Sequence, residues 1–493
     1  MPSILALDQG TTGSTALVIH QDGRVLGRGY REFTQYFPEP GRVEHDAEEI
    51  LRVTLDAGRE AIAAAGEVPT GLGITNQRET VVLWDRRTLA PVGPAIVWQD
   101  RRTSERCREL RALGREADIR ATTGLVLDPY FSATKLEWML RDSALRTRAE
   151  RGELAAGTID SWLVARFTGG RVHVTDHTNA SRTMLYGLAA RDWDEALMRL
   201  FGVPRAVLPT IVSSSGVVGE TDQSCFGRPI PISGLAGDQQ SALFGQGCVA
   251  PGLAKNTYGT GAFLLAYTGQ AIPHSKRGLL VTAACGPRGE PAYALEGSVF
   301  IAGAAVQWLR DGLGIITTAG ETEAMARSVT DTGGVYFVPA FVGLGSPHWE
   351  PEARGTIVGL TRGTTRAHLV RAALEAMAFS TGDLLSAMIE DAALKLTTLR
   401  VDGGAAANNW MMQLQADLLG VPVERPDNIE STALGAAALA GLALGVWPTV
   451  DAFLAGRQFT RFDPVSGAGE REAHWRGWRR AVGATLAWAR TSS

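Results

Sequence analysis

Residues 4–13 read Ile-Leu-Ala-Leu-Asp-Gln-Gly-Thr-Thr-Gly, a short apolar run that passes into a loop of glycines and threonines. A second β-rich run, residues 15–19, follows this loop directly, and Asp22-Gly23 separates it from a third at 24–30. Asp-Gly between two β-rich runs is typical of a tight hairpin turn, because glycine accepts the positive φ that such turns need. The sequence therefore predicts a strand, a Gly/Thr loop and a hairpin. This order argues against a dinucleotide-binding fingerprint, whose glycine loop leads into a helix.

A similar unit returns in the second half of the chain. Residues 253–258 run into Gly259-Thr260-Gly261, and another β-rich run follows at 262–266. Two strand–loop–strand units predict two halves of related design, each of which presents a polar loop to a shared cleft.

The connection between the halves is marked by Gly247, Pro251 and Gly252, which cluster between apolar runs. Such a cluster is typical of a break between structural elements. We therefore predict an N-terminal domain of residues 1–246 and a C-terminal domain of residues 247–493.

Helical patterns lie between the strands, most clearly at 367–389, 408–419 and 431–444, where apolar residues recur at helical spacing. Strands and helices alternate in both halves. This alternation predicts an α/β protein in which each domain is a mixed β-sheet flanked by helices.

Composition restricts the classes of function. The 493 residues include 48 Lys+Arg and 52 Asp+Glu, a net charge of −4, which argues against a nucleic-acid or anionic-membrane partner. The four cysteines form no close pair, so neither a disulfide framework nor a zinc motif is expected. The start of the chain has no basic segment before an apolar run, and no apolar stretch reaches the roughly 20 residues of a membrane span. We therefore expect a cytoplasmic protein. The sequence also lacks the P-loop motif G-x-x-x-x-G-K-[ST], so a P-loop nucleotide site is not expected.

The first candidate site is the polar row Asn76-Gln77-Arg78-Glu79-Thr80, which interrupts two apolar runs. Adjacent Arg78 and Glu79 offer fixed donors and an acceptor, which suits a small polyol with several hydroxyls. The alternative is a solvated charge pair at the end of a surface strand.

The second candidate is Asp238, which stands between Gly237 and Gln239-Gln240 after an apolar run and before a predicted helix. A carboxylate in this position can act as a general base or a metal ligand. The alternative is a carboxylate that caps the N-terminus of the helix.

The third candidate is Asp8 with Thr11 and Thr12. Backbone amides and hydroxyls in such loops bind phosphate oxygens, and a carboxylate there can hold hydrated Mg²⁺. The loop at 259–261 and the segment Asp402-Gly403-Gly404 have the same character. Three glycine loops that converge predict a nucleotide site.

Taken in chain order, these segments resemble the FGGY carbohydrate-kinase family. The matching segments are 6–12, 41–46, 73–80, 128–132, 179–184, 237–240, 256–261 and 401–404, which together span nearly the whole chain. Asn-Gln-Arg-Glu-Thr at 76–80 and Gly-Asp-Gln-Gln at 237–240 are similar to the motifs of the members that act on glycerol.

The resemblance implies a two-domain, ribonuclease H-like ATPase fold of the kind found in actin and hexokinase, with Mg²⁺ and ATP in the interdomain cleft. It implies phosphorylation of glycerol, with Asp238 as general base and Asp8 holding Mg²⁺ through water. The implied glycerol contacts are Arg78, Glu79, Tyr130, Asp238 and Gln239, with Trp98 and Phe263 against the carbon face. The implied nucleotide contacts are Thr11, Thr12, Gly13, Thr260, Gly303, Gln307, Gly404 and Asn408. A homodimer or homotetramer is expected by the same analogy.

The chain departs from the family pattern at some positions. Many relatives carry serine at the position of Gly13 and arginine at that of Thr15. The loop at 221–228 lacks the Gly-Gly run associated with inhibition by fructose 1,6-bisphosphate, so that regulation is not expected. Two rival functions stay open: a family member acting on a pentulose or gluconate, and an actin- or chaperone-like ATPase.

Overall fold

The computed structural model of the protein describes residues 2–428 and 430–490, and every structural statement below refers to those residues. The strands of the N-terminal half are β1 Ser3–Gln9, β2 Gly13–His20, β3 Val25–Glu32, β4 Glu44–His45, β5 Gly71–Asn76, β6 Val81–Asp85, β7 Ala95–Ile96, β8 Leu154–Thr158, β9 Val174–Asp176, β10 Tyr186–Gly187, β11 Asp192–Trp193, β12 Thr210–Val212, β13 Ser215–Glu220 and β14 Pro231–Gly237. Its α-helices are α1 Ala47–Ala65, α2 Ser104–Ala112, α3 Glu116–Thr123, α4 Ser132–Met139, α5 Ser143–Glu150, α6 Ile159–Phe167, α7 His177–Ala180, α8 Glu195–Leu200, α9 Gln223–Phe226 and α10 Asp238–Gly245.

The C-terminal half continues the alternation. Its strands are β15 Leu253–Tyr258, β16 Ala262–Gly269, β17 Leu280–Cys285, β18 Pro291–Val299, β19 Tyr336–Val338, β20 Thr356–Val358, β21 Thr398–Asp402, β22 Val423–Pro426 and β23 Phe459–Phe462. Its α-helices are α11 Gly303–Asp311, α12 Glu321–Arg327, α13 Arg366–Ala392, α14 Asn409–Leu419, α15 Ser431–Ala443, α16 Val450–Leu454 and α17 Ala468–Arg490.

The sheet of the N-terminal half has the strand order β13-β14-β5-β1-β2-β3. β1 is antiparallel to β2 and parallel to β5, and β5 is in turn parallel to β14. Gln9 pairs with Asn76, and Asn76 pairs with Gly237. Because parallel strands end at the same edge of a sheet, the loops that follow these three strands emerge side by side.

The sheet of the C-terminal half has the order β17-β18-β16-β15-β21-β22-β23. β15 is antiparallel to β16 and parallel to β21, so it repeats the relation of β1 to β2 and β5. Thr257 pairs with Asp402, which brings the loop after Tyr258 beside Gly403. Gly403 has φ 85°, and a Cβ there would come within 2.3 Å of the Tyr258 carbonyl oxygen. The predicted repeat of one strand–loop–strand unit is therefore present.

Helix α15 belongs to the second half of the sequence but packs on the first sheet, against β1, β5 and β14, and against α10. Small residues permit this close approach. A Cβ at Gly435 would lie 1.9 Å from the Ser241 carbonyl oxygen, and one at Gly73 would lie 2.2 Å from that of Ala436. The two halves are thus joined by a tightly packed helix pair as well as by their single connection in sequence.

One described helix, α13, is long and apolar enough to cross a membrane by length and composition alone. Its most apolar 18-residue window is 72% buried inside the protein, where Leu374, Met377 and Leu384 join the main core. Thr365 caps this helix through a capping box with His368, and the helix begins at Arg366, one residue before the predicted start.

Candidate active site

The adjacent ends of β5 and β14 bring Arg78 and Asp238 together. Nε of Arg78 lies 3.2 Å from Oδ1 of Asp238, which is the first residue of α10. Gly237 occupies the N-cap position, so the interpretation of Asp238 as a capping carboxylate is wrong. The side chain of Arg78 is only 2% exposed and that of Glu79 only 1%, so the interpretation of this pair as a solvated strand end is also wrong. A buried cation therefore stands beside a carboxylate at the sheet edge.

Arg78 is held by a second carboxylate that comes from the other half of the chain. Glu296, on β18, accepts hydrogen bonds from Nη1 and Nη2 of Arg78 at 2.7 and 2.8 Å. Burial raises the pKa of Glu296, but the nearby Arg182 and Arg78 outweigh it and lower the pKa to about 2. This two-pronged pairing is the arrangement in which arginine and carboxylate interact most strongly.

Glu79 has a matching partner in Arg182, whose Nε donates to Oε1 of Glu79 at 2.6 Å. The backbone of Glu79 has φ 62°, a left-handed conformation that is uncommon outside glycine and is often found at functional sites. Ser132 donates from Oγ to the Glu79 carbonyl oxygen at 2.9 Å and so supports this conformation. The result is a buried cluster of two arginines and two glutamates beneath Asp238.

Asp238 is the member of this charged group that opens toward solvent. Its side chain is 29% exposed, whereas those of Arg78 and Glu296 are 2% and 1% exposed. Oδ1 of Asp238 accepts from the backbone amide of Gln239 at 2.6 Å. A carboxylate that is accessible on one side and fixed on the other can receive a proton from a bound hydroxyl.

An aromatic pair borders the same region. The rings of Trp98 and Tyr130 meet edge to face with their centroids 5.6 Å apart, and both side chains are half-buried. Trp98 also donates from Nε1 to Oγ1 of Thr11 at 2.9 Å, which links this pair to the first Gly/Thr loop. Phe263 is half-buried on β16 as the cross-strand partner of Thr257.

Asp8, the penultimate residue of β1, lies in a carboxylate-rich setting. Burial, with the nearby charges of Asp238 and Glu430, raises the pKa of Asp8 to about 8. Within residues 2–428 and 430–490, no set of three His, Cys, Asp or Glu side chains is placed to hold a metal directly. Mg²⁺ commonly uses one or two carboxylates and keeps several waters, so the carboxylate of Asp8, with the charge of Asp238 nearby, fits a hydrated Mg²⁺.

Each Gly/Thr loop is closed by an internal main-chain hydrogen bond. The amide of Gly10 donates to the Gly13 carbonyl at 2.9 Å, and the amide of Gly259 donates to the Gly261 carbonyl at 2.8 Å. A Cβ at Gly13 would lie 2.7 Å from the Arg31 carbonyl oxygen and 2.9 Å from the Tyr30 hydroxyl. Glycine at position 13 therefore accompanies close packing of β3 at this point.

A cavity of about 540 Å³ lies beside the second loop, in the C-terminal half. Among its lining residues are Thr260, Gly303, Gln307, Gly404 and Asn408. These are five of the eight predicted nucleotide positions, and the structure brings them together. Thr11, Thr12 and Gly13 do not line this cavity but form the first loop. Main-chain bonds from Gly303 to Gly259 and from Ala304 to Thr260 hold the start of α11 against the second loop.

Sequence patterns alone did not predict a role for two residues of the charged cluster, Glu296 and Arg182. Glu296 lies in an otherwise apolar strand, Ala-Tyr-Ala-Leu-Glu-Gly-Ser-Val, where a lone buried acid needs a cationic partner. That pattern could have identified Glu296 as a site residue, but it does not identify the partner of Glu296. Arg182 stands in the matched segment at 179–184.

Fold and site together define a two-domain α/β ATPase of the actin- and hexokinase-like class. The models of the FGGY family of carbohydrate kinases match the chain, with the N-terminal domain at residues 3–245 and the C-terminal domain at 254–444. The chain belongs to this family, as the sequence motifs predicted.

Individual relatives are similar over their full length. The glycerol kinase of Carboxydothermus hydrogenoformans is 56% identical over 98% of both chains. The glycerol kinase of Trichlorobacter lovleyi is 58% identical over 99% of this chain and 100% of its own. The crystal structure of Plasmodium falciparum glycerol kinase with ADP superimposes with a TM-score of 0.94 at 36% identity, covering 99% of this chain and 98% of that one.

Proposed function

We propose that this protein transfers the γ-phosphoryl group of ATP to a terminal hydroxyl of glycerol and so forms sn-glycerol 3-phosphate. The observation that carries the proposal is the placement of the accessible carboxylate of Asp238 3.2 Å from the buried guanidinium of Arg78. Full-length similarity to proteins named glycerol kinase supports the substrate, and similarity to a relative solved with ADP supports the nucleotide.

In the proposed reaction, Asp238 accepts the proton of the attacking hydroxyl and orients its oxygen toward the γ-phosphorus. Attack occurs in line with the bond to the leaving ADP, so catalysis depends mainly on positioning and on stabilisation of the developing charge. The two Gly/Thr loops supply amides and hydroxyls to the phosphates. Mg²⁺, held through water by Asp8, would neutralise charge on the phosphate oxygens.

Recognition of glycerol would come from fixed polar groups, since a three-carbon triol offers little apolar surface. Arg78, Glu79, Tyr130, Asp238 and Gln239 would contact its hydroxyls. Trp98 and Phe263 would border its carbon face. Closure of the two domains around the substrates would exclude water, the competing acceptor of the phosphoryl group.

The adenosine part of ATP would occupy the 540 Å³ cavity. Thr260, Gly303, Gln307, Gly404 and Asn408 line that cavity and would contact the nucleotide, while Thr11, Thr12 and Gly13 would approach its phosphates. A division into domains 1–246 and 247–493, supported by the family matches that end at 245 and resume at 254, stays a prediction, as does a homodimer or homotetramer.

An acceptor panel tests this function. Purified protein is incubated with Mg-ATP and glycerol, xylulose, gluconate or no acceptor, and both ADP and the phosphorylated product are measured. We expect ADP release that depends on glycerol, with glycerol 3-phosphate as product. Preference for a five- or six-carbon acceptor would indicate a different member of the family. ADP release indifferent to every acceptor would favour the chaperone-like ATPase.

A further inference from the structure

A buried cation and a buried anion stand in one row across the C-terminal sheet. Lys255 on β15 pairs with Leu265 on β16, and Leu265 pairs with Glu296 on β18. Residues directly opposite one another on antiparallel strands point to the same face of a sheet. The core cluster that contains Leu265 also contains Leu243, so this face packs on α10, the helix that begins with Asp238.

Each charge in the row contacts a polar side chain of the N-terminal half. Glu296 accepts from Nη1 and Nη2 of Arg78, as described above. Nζ of Lys255 donates to Oε1 of Gln239 and, at 2.9 Å, to Oγ1 of Thr257. Lys255 and Glu296 are both at most 1% exposed, so neither has solvent as an alternative partner.

The hydrogen bonds of Arg78 show how Glu296 fixes the orientation of its guanidinium. Nη1 donates to Glu296 and, at 3.2 Å, to Oε1 of Gln240, and Nη2 donates to Glu296. These bonds use three of the five N–H groups of the guanidinium and fix its plane. Nε faces Oδ1 of Asp238, and one hydrogen of Nη2 is left to meet a ligand.

Lys255 acts on Gln239 in a comparable way. An amide side chain has an accepting oxygen and a donating NH₂ group, and it can turn either toward a ligand. Because the oxygen of Gln239 accepts from Lys255, the NH₂ group is the end left to meet a hydroxyl. Lys255 thereby determines that Gln239 acts as a donor.

We propose that Glu296 and Lys255 are positioning residues through which the C-terminal sheet orients Arg78 and Gln239 as donors for the acceptor's hydroxyls. The inference rests on the proposed function, since it assigns these donors to glycerol. The donors Arg78 and Gln239 belong to the N-terminal half, and their orientation depends on contacts with the C-terminal half. Recognition of the acceptor would therefore depend on both halves. Neither positioning residue needs to touch the acceptor.

The test compares Glu296→Gln and Lys255→Met with the wild-type enzyme at varied glycerol and varied ATP. Each substitution removes a charge and approximately keeps side-chain size. We expect the KM for glycerol to rise about 10- to 100-fold, the range expected when a hydrogen bond to a charged group is lost. The KM for ATP should stay within about twofold, a split that general destabilisation would not produce.

Glu424→Gln is the matched control. Glu424 lies on β22 of the same sheet, four strands from Glu296 on β18, and pairs with Arg400 at 3.1 Å. This variant breaks an Arg–Glu pair of the same sheet and should leave both KM values unchanged. A rise in its KM for glycerol equal to that of Glu296→Gln would overturn the proposal.

The outcomes separate the two claims. Wild-type protein inactive on glycerol contradicts the proposed function. Active wild type with an unchanged KM for glycerol in both variants contradicts the positioning roles, as does a rise confined to the KM for ATP. If Glu296→Gln yields no folded protein by thermal unfolding, the result for Lys255→Met decides, since that variant leaves the Arg78–Glu296 pair intact.

Discussion

Nε of Arg78 lies 3.2 Å from Oδ1 of Asp238, although the two residues follow different strands of the N-terminal sheet. The pairing follows from topology, because β5 and β14 run parallel and end together. It places a permanent positive charge beside the carboxylate that would take up the hydroxyl proton. A guanidinium in this position can donate a hydrogen bond to the substrate oxygen that faces the carboxylate.

Replacement of Trp98 by phenylalanine should weaken nucleotide binding through the first loop. The substitution keeps an aromatic ring against Tyr130 but removes the Nε1 donor that holds Oγ1 of Thr11 at 2.9 Å. Loss of one hydrogen bond of about 0.5–1.5 kcal/mol predicts a rise in the KM for ATP of roughly 2- to 10-fold. Steady-state kinetics at saturating glycerol provide the measurement.

Trp138→Phe is the control for that variant. Trp138 is also half-buried, but its ring lies under the guanidinium of Arg102, 4.6 Å from the ring centroid. Equal changes in the KM for ATP in the two variants would show that the Trp98–Thr11 bond has no specific role.

Binding of Mg²⁺ should depend on pH through Asp8. Burial and the neighbouring Asp238 and Glu430 raise the pKa of Asp8 to about 8, so at pH 7 its carboxyl is mainly protonated in the absence of a cation. A metal competes with that proton, and its apparent affinity should increase by up to about tenfold per pH unit below pH 8 and level off above it. Calorimetric titration with Mg²⁺ and ADP at pH 6.5, 7.5 and 8.5 measures this. The same pH dependence in Asp8→Asn would exclude Asp8 as its source.

Burial of His45 as a neutral side chain should lower the free energy of unfolding at acid pH. Burial lowers its pKa to about 4, whereas the unfolded chain has an ordinary histidine pKa near 6.5. Between these values the unfolded state binds the extra proton, so this contribution to stability is present above pH 6.5 and is lost as pH falls toward 4. Relative to His45→Gln, the wild type should lose about 2 kcal/mol of unfolding free energy between pH 7 and 5.

Urea unfolding of both proteins at the two pH values measures this loss. The difference in unfolding free energy between wild type and variant cancels the contributions of other buried groups. Those groups include Asp8 and Asp160, whose raised pKa values make the protein more stable as pH falls. A difference in unfolding free energy that stays constant with pH would contradict the assignment to His45.

Gly435→Ala should disrupt the helix pair that joins the two halves. The added Cβ would come within 1.9 Å of the Ser241 carbonyl oxygen on α10, and overpacking of this kind costs about 1–3 kcal/mol. Because α10 begins with Asp238, kcat should fall together with stability. Urea unfolding and an activity assay on the same sample measure both effects.

Gly483→Ala is the matched control. Gly483 lies in α17, is exposed, and has no atom within 4 Å of an added Cβ. Alanine there should be neutral or raise the unfolding free energy by up to about 1 kcal/mol. If both variants have the stability of the wild type, α15 and α10 do not pack as closely as described.

Local patterns predicted much of this fold. The units that begin at Ile4 and Leu253 were predictable because alternation, Asp-Gly turns and Gly/Thr loops are short-range signals. The helix at 366–392 was predictable because its apolar spacing is long and regular. The family resemblance predicted that Asp238 and Arg78 contact the same substrate, and the structure places Nε of Arg78 3.2 Å from Oδ1 of Asp238.

Long-range partners were not predictable from one sequence. Nothing in the segment around Glu296 indicates that it pairs with Arg78 across the two halves. The packing of α15 on the first sheet depends on glycines such as Gly73 and Gly435, which resemble ordinary helix or strand glycines in sequence. Both features arise from tertiary packing, for which local patterns carry no signal.

Turnover by Asp238→Asn tests the central claim most directly. Asparagine keeps the size of the side chain but cannot accept the hydroxyl proton. We expect a cooperative thermal transition and binding of glycerol by calorimetry close to those of the wild type, with kcat lowered by roughly 10² or more. Turnover near that of the wild type would contradict the account, because the reaction would then not need the carboxylate that stands beside Arg78.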